Sequence, residues 1–149
     1  MDRPFVVENT QERERLRTLV TRITDEELSL PLGEGWTIAV ALAHLAFWDQ
    51  WSLVLLRKWK KSSVALSPVD IDTTNDALLP FCLALSPRVA ANLAVSSAET
   101  IDRELEEASP ELIIKIEGLG DERRLYRSKH RKLHLDEIES FLQTRHGRK

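Results

Sequence analysis

Apolar residues recur at three- and four-residue spacing over four long stretches of the chain, and this period is typical of amphipathic α-helices. The second stretch is apolar nearly all round from Ile38 to Trp48, so we expect it to be the central, buried helix. No alternating strand pattern, internal repeat or low-complexity tract interrupts this organisation. The sequence therefore predicts an all-α domain, most simply an antiparallel four-helix bundle. The predicted helices span about 10–24, 37–61, 87–108 and 121–145.

The sequence also predicts the connections between the helices and the residues that cap them. Between 62 and 86 the period fades among proline, aspartate and threonine, which predicts a long connection between helices two and three. Such a connection could form a roof over a pocket. For the apolar stretch 112–116 the pattern leaves both a helical and an extended structure open. The expected N-cap residues are Asn9 (with Glu12), Thr24 (with Glu27), Ser86 (before Pro87) and Asp121.

Composition and charge narrow the class of protein. The 149 residues fit one domain, 1–149, and the proportions of hydrophobic (42%) and charged (30%) residues are ordinary for a globular protein. The net charge of −3 gives no general attraction to nucleic acid or to an anionic membrane, so we expect neither as a partner. The longest apolar run, 38–48, is too short for a membrane span. The first residues lack the long apolar stretch of a signal peptide, so we do not expect export. A single cysteine, Cys82, suits a reducing cytoplasm and is expected to be a small buried residue.

Three of the four histidines lie on helix faces that the periodicity places inside the protein. His130 and His134 are one helical turn apart, with Cβ atoms roughly 5–6 Å from each other, so both imidazoles could bind one metal ion. Leu133 and Glu137 are expected to share that inward face. His44 lies on the most hydrophobic face of the second helix. Three neutral imidazoles from two helices would form a divalent-metal site with an open position, a pattern typical of catalytic centres.

Simpler interpretations apply to the same residues. A histidine on an apolar face is more often a hydrogen-bonded core residue, and an HxxxH pair also arises by chance. Zinc-protease chemistry of the HExxH type is excluded, because Arg131 directly follows His130. The basic run of the last helix is interpreted as a solvated face. Its members are Arg123, Arg124, Arg127, Lys129, Arg131 and Lys132.

Three charged residues of the last helix are candidates for catalytic or substrate-binding roles. Arg123 and Arg127 precede His130 by two turns and one turn, where either could pair with a substrate carboxylate. Glu137 follows His134 by one turn and could orient an imidazole or act as a general base. Each of the three could equally be an exposed helix residue.

Two segments resemble the DinB/YfiT-like superfamily of metalloenzymes. They are GWTIAVALAHLAFWDQW at 35–51 and YRSKHRKLHLDEIESFL at 126–142. In that superfamily a four-helix bundle binds a divalent metal through one histidine of the second helix and an HxxxH pair of the last. The matching positions here are His44, His130 and His134. The segment DIDTTNDALLPF at 70–81 is similar to the branch related to mycothiol-dependent maleylpyruvate isomerase.

The resemblance implies a divalent-metal-dependent enzyme acting on a small-molecule substrate, with a low-molecular-weight thiol as a cosubstrate. Members with identified roles include thiol S-transferases that use mycothiol or bacillithiol, and a small hydrolase is also compatible. The isomerase itself carries a further C-terminal domain, so its activity is not carried over. Zinc and nickel suit three nitrogen ligands best, and iron or copper also fit. The alternatives are a noncatalytic metal-binding or stress-associated bundle and a metal-free interaction domain that forms a homodimer.

Overall fold

The computed structural model describes residues 2–147, which form α-helices and one small β-hairpin. The predicted all-α class is confirmed. The described residues contain seven α-helices where the sequence predicted four, and the antiparallel bundle stays a prediction. In chain order the elements are α1 (Pro4–Arg22), α2 (Asp25–Leu28), β1 (Pro31–Gly33), β2 (Trp36–Thr37), α3 (Ile38–Lys61), α4 (Ile71–Ala84), α5 (Pro87–Glu107), α6 (Pro110–Glu117), a 3-10 turn (Glu122–Arg124) and α7 (Ser128–Gly147).

Side-chain caps fix three helix starts where the sequence predicted them. Thr24 accepts from the backbone N–H of Glu27, whose carboxylate accepts from the N–H of Thr24, and this closes a capping box at α2. Thr37 at α3 and Ser86 at α5 each accept from the backbone N–H three residues on. These bonds satisfy donors that have no partner inside the helix. The starts of α3 and α5 are therefore encoded locally.

The predicted start of the first helix at residue 10 is wrong, because α1 begins six residues earlier at Pro4. Proline suits the first turn of a helix, where its missing N–H costs nothing. Asn9 lies inside α1 rather than at its N-cap. Its Oδ1 accepts from the N–H of Ser128 at 2.9 Å, and its Nδ2 donates to the carbonyl of Leu125 at 2.8 Å. Asn9 therefore caps the start of α7 rather than its own helix.

Replacing Asn9 with alanine is expected to lower the free energy of unfolding by about 2 kcal/mol, because two buried backbone groups would lose their partner. Urea denaturation measures this change. Asn92→Ala is the matched control: Asn92 is exposed on α5 and makes no side-chain hydrogen bond within the described residues. Its expected change is below about 0.5 kcal/mol. Equal changes in the two variants would contradict the capping role of Asn9.

The connection predicted for 62–86 contains a helix, α4, that the sequence analysis did not predict. Asp70 caps α4 by accepting from the N–H of Thr73 at 3.0 Å. The helix was missed because Cys82 is its one buried residue, so no apolar stripe is visible, and because Pro80 inside it resembles a breaker. Cys82 is buried as predicted, and burial raises the pKa of its thiol.

The segment between α5 and α7 also differs from the expected boundaries. The stretch 112–116, left open by the pattern, is helical within α6, which Ser109 caps. Asp121 caps the 3-10 turn rather than α7, since its carboxylate accepts from the N–H of Arg123 at 3.1 Å. Helix α7 begins seven residues later, at Ser128.

Helix α3 is the central element, as predicted. It packs against α4, α5 and α7, and α1 packs against α5 and α7. Fully buried alanines of α5, such as Ala94 and Ala98, leave room for the close approach of α3. By length and composition α3 could cross a membrane, but 72% of its most apolar window is buried inside the fold, as is usual for a core helix. The contact of α3 with α7 brings together the two elements that carry the predicted site.

Candidate metal centre

Imidazoles from α3 and α7 converge, as the sequence predicted. The Nε2 atoms of His44 and His130 are 3.0 Å apart. One ring nitrogen each of His44, His130 and His134 lies within 4.8 Å of the others, and the three pairs of ring centroids are 4.8–4.9 Å apart. The two histidines of α7 are one turn apart, and His44 faces them from α3. Three nitrogen donors around one point match the ligand set of a divalent-metal site.

Burial favours the neutral form of all three imidazoles. Burial, together with the neighbouring His134, lowers the pKa of His44 to about 4. Burial also lowers the pKa of His130, with contributions from the other two histidines and from the positive charges of Arg127 and Arg131. The pKa of His134 is lowered by burial as well. A neutral imidazole carries the free lone pair that a metal ion requires. The site therefore offers three donors at neutral pH.

A short hairpin covers one side of the histidines. Strands β1 and β2 are joined by Glu34 and Gly35, whose φ angles of 55° and 81° are the left-handed values that a two-residue type I′ turn requires. Trp36 follows directly. Its ring lies 4.9 Å from that of His44 and stacks on that of His134 at 6.1 Å and 14°. These contacts restrict the orientation of both imidazoles.

One buried nitrogen of the cluster has no partner. Nδ1 of His134 makes no hydrogen bond within residues 2–147, although it is buried. A buried polar atom without a partner costs about 1–3 kcal/mol, so such atoms usually contact a bound ion or water. This observation, together with the chemistry of three neutral nitrogens, fits a metal ion. It does not fit a core in which every buried histidine nitrogen is hydrogen-bonded.

A cavity of about 480 Å³ reaches the three histidines, and this volume is typical of small-molecule sites. The segment around the start of α4 contributes Val69, Ile71 and Asn75 to its wall. Trp48 on α3 donates from Nε1 to Oδ1 of Asn75 at 2.9 Å, which ties α4 to α3 at the cavity. The connection between α3 and α5 therefore does line a pocket. The remaining wall residues are Trp36, Trp48, Arg123, Arg124, Arg127, Lys129 and Leu133.

Two arginines near His130 belong to a buried ion-pair network that the sequence analysis missed. Arg127 Nε donates to Asp49 Oδ1 at 2.8 Å. Arg131 donates to the other oxygen of Asp49 at 3.2 Å, and to both oxygens of Asp102 at 2.8 and 2.9 Å. Arg131 is fully buried, and Arg127 is 5% exposed. The assignment of these two arginines to a solvated helix face is therefore wrong.

The network connects α7 to three other helices. Asp49 is on α3 and Asp102 is on α5, and Arg131 Nη1 also donates to the carbonyl of Asn9 on α1 at 3.2 Å. Burial alone would lower the pKa of Arg131, but the two carboxylates more than offset this and raise it. The guanidinium therefore stays charged. Because Arg131 directly follows His130, the network also fixes the rotation of α7 that aims His130 at the site.

The other predicted residues lie at the edge of the site or outside it. Arg123 is exposed at the cavity rim, and its guanidinium donates to both oxygens of Asp121 at 2.9 and 3.0 Å. Glu137 is exposed on α7 and is not among the residues that line the cavity. Leu133 lines the cavity but is 65% exposed, so the expected inward face of Leu133 and Glu137 is wrong. The buried face of α7 runs instead through Ser128, Arg131, Leu135, Ile138 and Leu142.

The helical fold and the histidine cluster beside a cavity define a helical protein with a candidate divalent-metal centre. The chain belongs to the DinB superfamily, whose family model matches residues 8–143. All three histidines lie inside the matched range. Searches of curated proteins and of solved structures each found no significant match. The resemblance based on 35–51 and 126–142 is thus confirmed at the level of the superfamily.

Proposed function

We propose that this chain is a divalent-metal-dependent enzyme in which His44, His130 and His134 hold the ion. The observation that carries the proposal is the convergence of three neutral imidazoles in the wall of an open cavity. Three protein ligands leave at least one coordination position for water or substrate, which is typical of catalytic rather than structural centres. The cavity gives a small molecule access to that position.

The donor set suits zinc or nickel and also accommodates iron or copper. When bound, such an ion lowers the pKa of a water or thiol and polarises a substrate carbonyl. The residues of the chain would orient the ligands and shape the site. Trp36 and Trp48 lie against the ring of His44 and limit the access of bulk water from their side.

Within this class the proposed reactions are S-transfer from a low-molecular-weight thiol to a small electrophile, or hydrolysis of a small ester or amide. Neither reaction needs a nucleophilic side chain. Cys82 is the one cysteine of the chain, and it is not among the residues that line the cavity. A reacting thiol would therefore come from a cosubstrate.

A noncatalytic metal-binding protein would use the same three histidines. It would need no cavity that leads to the open coordination position. The volume of about 480 Å³ beside all three rings favours the enzyme.

A second candidate is a metal-free interaction domain that forms a homodimer. The 3.0 Å contact between Nε2 of His44 and Nε2 of His130 supports the metal-free state, because one neutral imidazole can donate its N–H to the lone pair of the other. Exposed apolar side chains at the junction of α4 and α5 could provide the dimer face. They are Phe81, Leu83, Leu85, Val89 and Leu93.

The metal content of protein purified without an affinity tag tests the proposal. We expect about one equivalent of a divalent ion per chain, lost on chelation and restored by zinc or nickel. We also expect metal-dependent consumption of a thiol with an electrophile, or metal-dependent cleavage of a small ester. No bound ion after supplementation with zinc, nickel, iron and copper would contradict the proposal. A dimer mass in sedimentation of the same metal-free sample would favour the second candidate.

A further inference from the structure

Basic side chains form part of the wall of the cavity that contains the histidines. The lining residues include Arg123, Arg124, Arg127 and Lys129, and no aspartate or glutamate is among them. The whole chain carries a formal net charge of −3, so this positive charge is a local feature. A cleft lined by one sign of charge attracts ligands of the opposite sign.

Two of the four cations are exposed and are hydrogen-bonded to carboxylates at the surface. Arg123 donates to both oxygens of Asp121, and Lys129 is bonded to Glu122. The side chains of Arg123 and Lys129 are 56% and 57% exposed, so solvent and salt screen their charges. They are poorly suited to hold a ligand tightly.

Arg124 is different because its guanidinium is largely enclosed and weakly paired. Its side chain is 11% exposed, and Asp121 is 3.5 Å from its Nε. Neither Nη1 nor Nη2 makes a hydrogen bond within the described part of the chain. The guanidinium lies 4.7 Å from the ring centre of Trp51, and this contact restricts its position. Burial lowers the pKa of Arg124; Asp121 opposes this, and Arg123 and Arg127 reinforce it.

Arg127 also keeps one nitrogen available. It donates from Nε to Asp49 and from Nη1 to the carbonyl of Arg123, while Nη2 has no hydrogen bond within residues 2–147. These two bonds fix the position of the guanidinium. An added ligand would therefore meet a preorganised donor and would not have to order a flexible side chain.

We propose that Arg124 and Arg127 form a subsite that binds an oxyanion, the carboxylate or phosphate group of the substrate. Guanidinium groups match the planar, multidentate geometry of both anions. Arg127 precedes His130 by three residues, so the bound anion would lie about one helical turn from the histidines. The N-terminus of α7 adds partial positive charge at the same end. The placement of the reacting group at the histidines rests on the proposed function, whereas binding of the anion does not.

Calorimetric titration of the protein as purified tests the subsite, with inorganic phosphate and malonate as probes at low ionic strength. Malonamide, which has the same skeleton without charge, should not bind. Arg124→Gln is expected to weaken the binding of the preferred anion by about tenfold. Arg103→Gln removes the same charge from an exposed position of α5 outside the cavity lining and should change the affinity by less than about twofold. The ratio of phosphate to malonate affinity identifies the anion class.

The same titrations of His44→Asn separate this subsite from the metal site. Anion binding that persists in His44→Asn and weakens in Arg124→Gln supports the subsite, even if the protein binds no metal and the proposed function fails. Unchanged affinity in Arg124→Gln, equal binding of malonamide, or no measurable binding of either anion would overturn it. Binding lost only in His44→Asn would place the anion at the metal ion, which would overturn the subsite but not the proposed function.

Discussion

Replacing Arg131 with leucine is expected to lower the free energy of unfolding by about 3–5 kcal/mol, the usual cost of removing one partner from a buried ion pair. Arg131 is fully buried and contacts both Asp49 and Asp102. Its loss would leave these two carboxylates inside the protein with less positive charge to offset them. Because a typical domain is stable by about 5–15 kcal/mol, the variant would lose a large part of its stability. Urea denaturation measures the change.

Lys132→Leu is the matched control, because it removes the same charge from the next residue. Lys132 is exposed and pairs with Asp136 at 2.7 Å, so the expected change is below about 1 kcal/mol. Arg131→Lys keeps the charge but loses the planar fork of donors, so its stability should fall between wild type and Arg131→Leu. If Arg131→Leu cost no more than Lys132→Leu, the network would not stabilise the attachment of α7.

The triple variant His44→Ala, His130→Ala and His134→Ala is expected to lose the bound ion completely. Each single variant should weaken metal binding by at least about 100-fold, because loss of even an outer hydrogen-bond partner of a ligand costs about 10–100-fold. Elemental analysis measures the metal content, and competition with a chelator of known affinity measures the single variants.

The fourth histidine provides the control for this series. His146 is exposed near the end of α7, and its Nε2 lies 3.3 Å from Oε2 of Glu27, away from the cluster. His146→Ala should keep the full metal content and affinity. Circular dichroism of the triple variant checks that the helices persist. Metal retained by a folded triple variant would exclude the cluster as the binding site.

The pairing of His130 with His134 and the central helix could be predicted from the sequence because both depend on local spacing. A one-turn interval places His130 beside His134 on any helix, and the apolar run around His44 demands burial in any compact fold. Thr37 and Ser86 likewise bond to backbone only three residues away. These features need no knowledge of which helices meet. The convergence of His44 with the pair, 86 residues away, does need it, and the family resemblance implied it.

The buried arginine and the asparagine cap could not be predicted, because their partners are distant in the sequence. Arg131 lies in a basic run, and the carboxylates that it contacts are 82 and 29 residues away. The hydrogen bond between Asn9 and Ser128 spans 119 residues. Periodicity cannot distinguish a paired, buried arginine from its solvated neighbours. Which arginine of the run is buried depends on tertiary packing.

Helix α7 carries two metal-ligand candidates and, directly beside them, the arginine that attaches it to the rest of the protein. Asp49, which accepts from Arg131, follows His44 by five residues on α3. Helices α3 and α7 therefore carry both the imidazoles and the ion pair between Asp49 and Arg131. This ion pair sets the separation of the two helices. Grafting only the three histidines onto another helical scaffold would reproduce the donors without their alignment. A successful graft would have to include Asp49 and Arg131 as well.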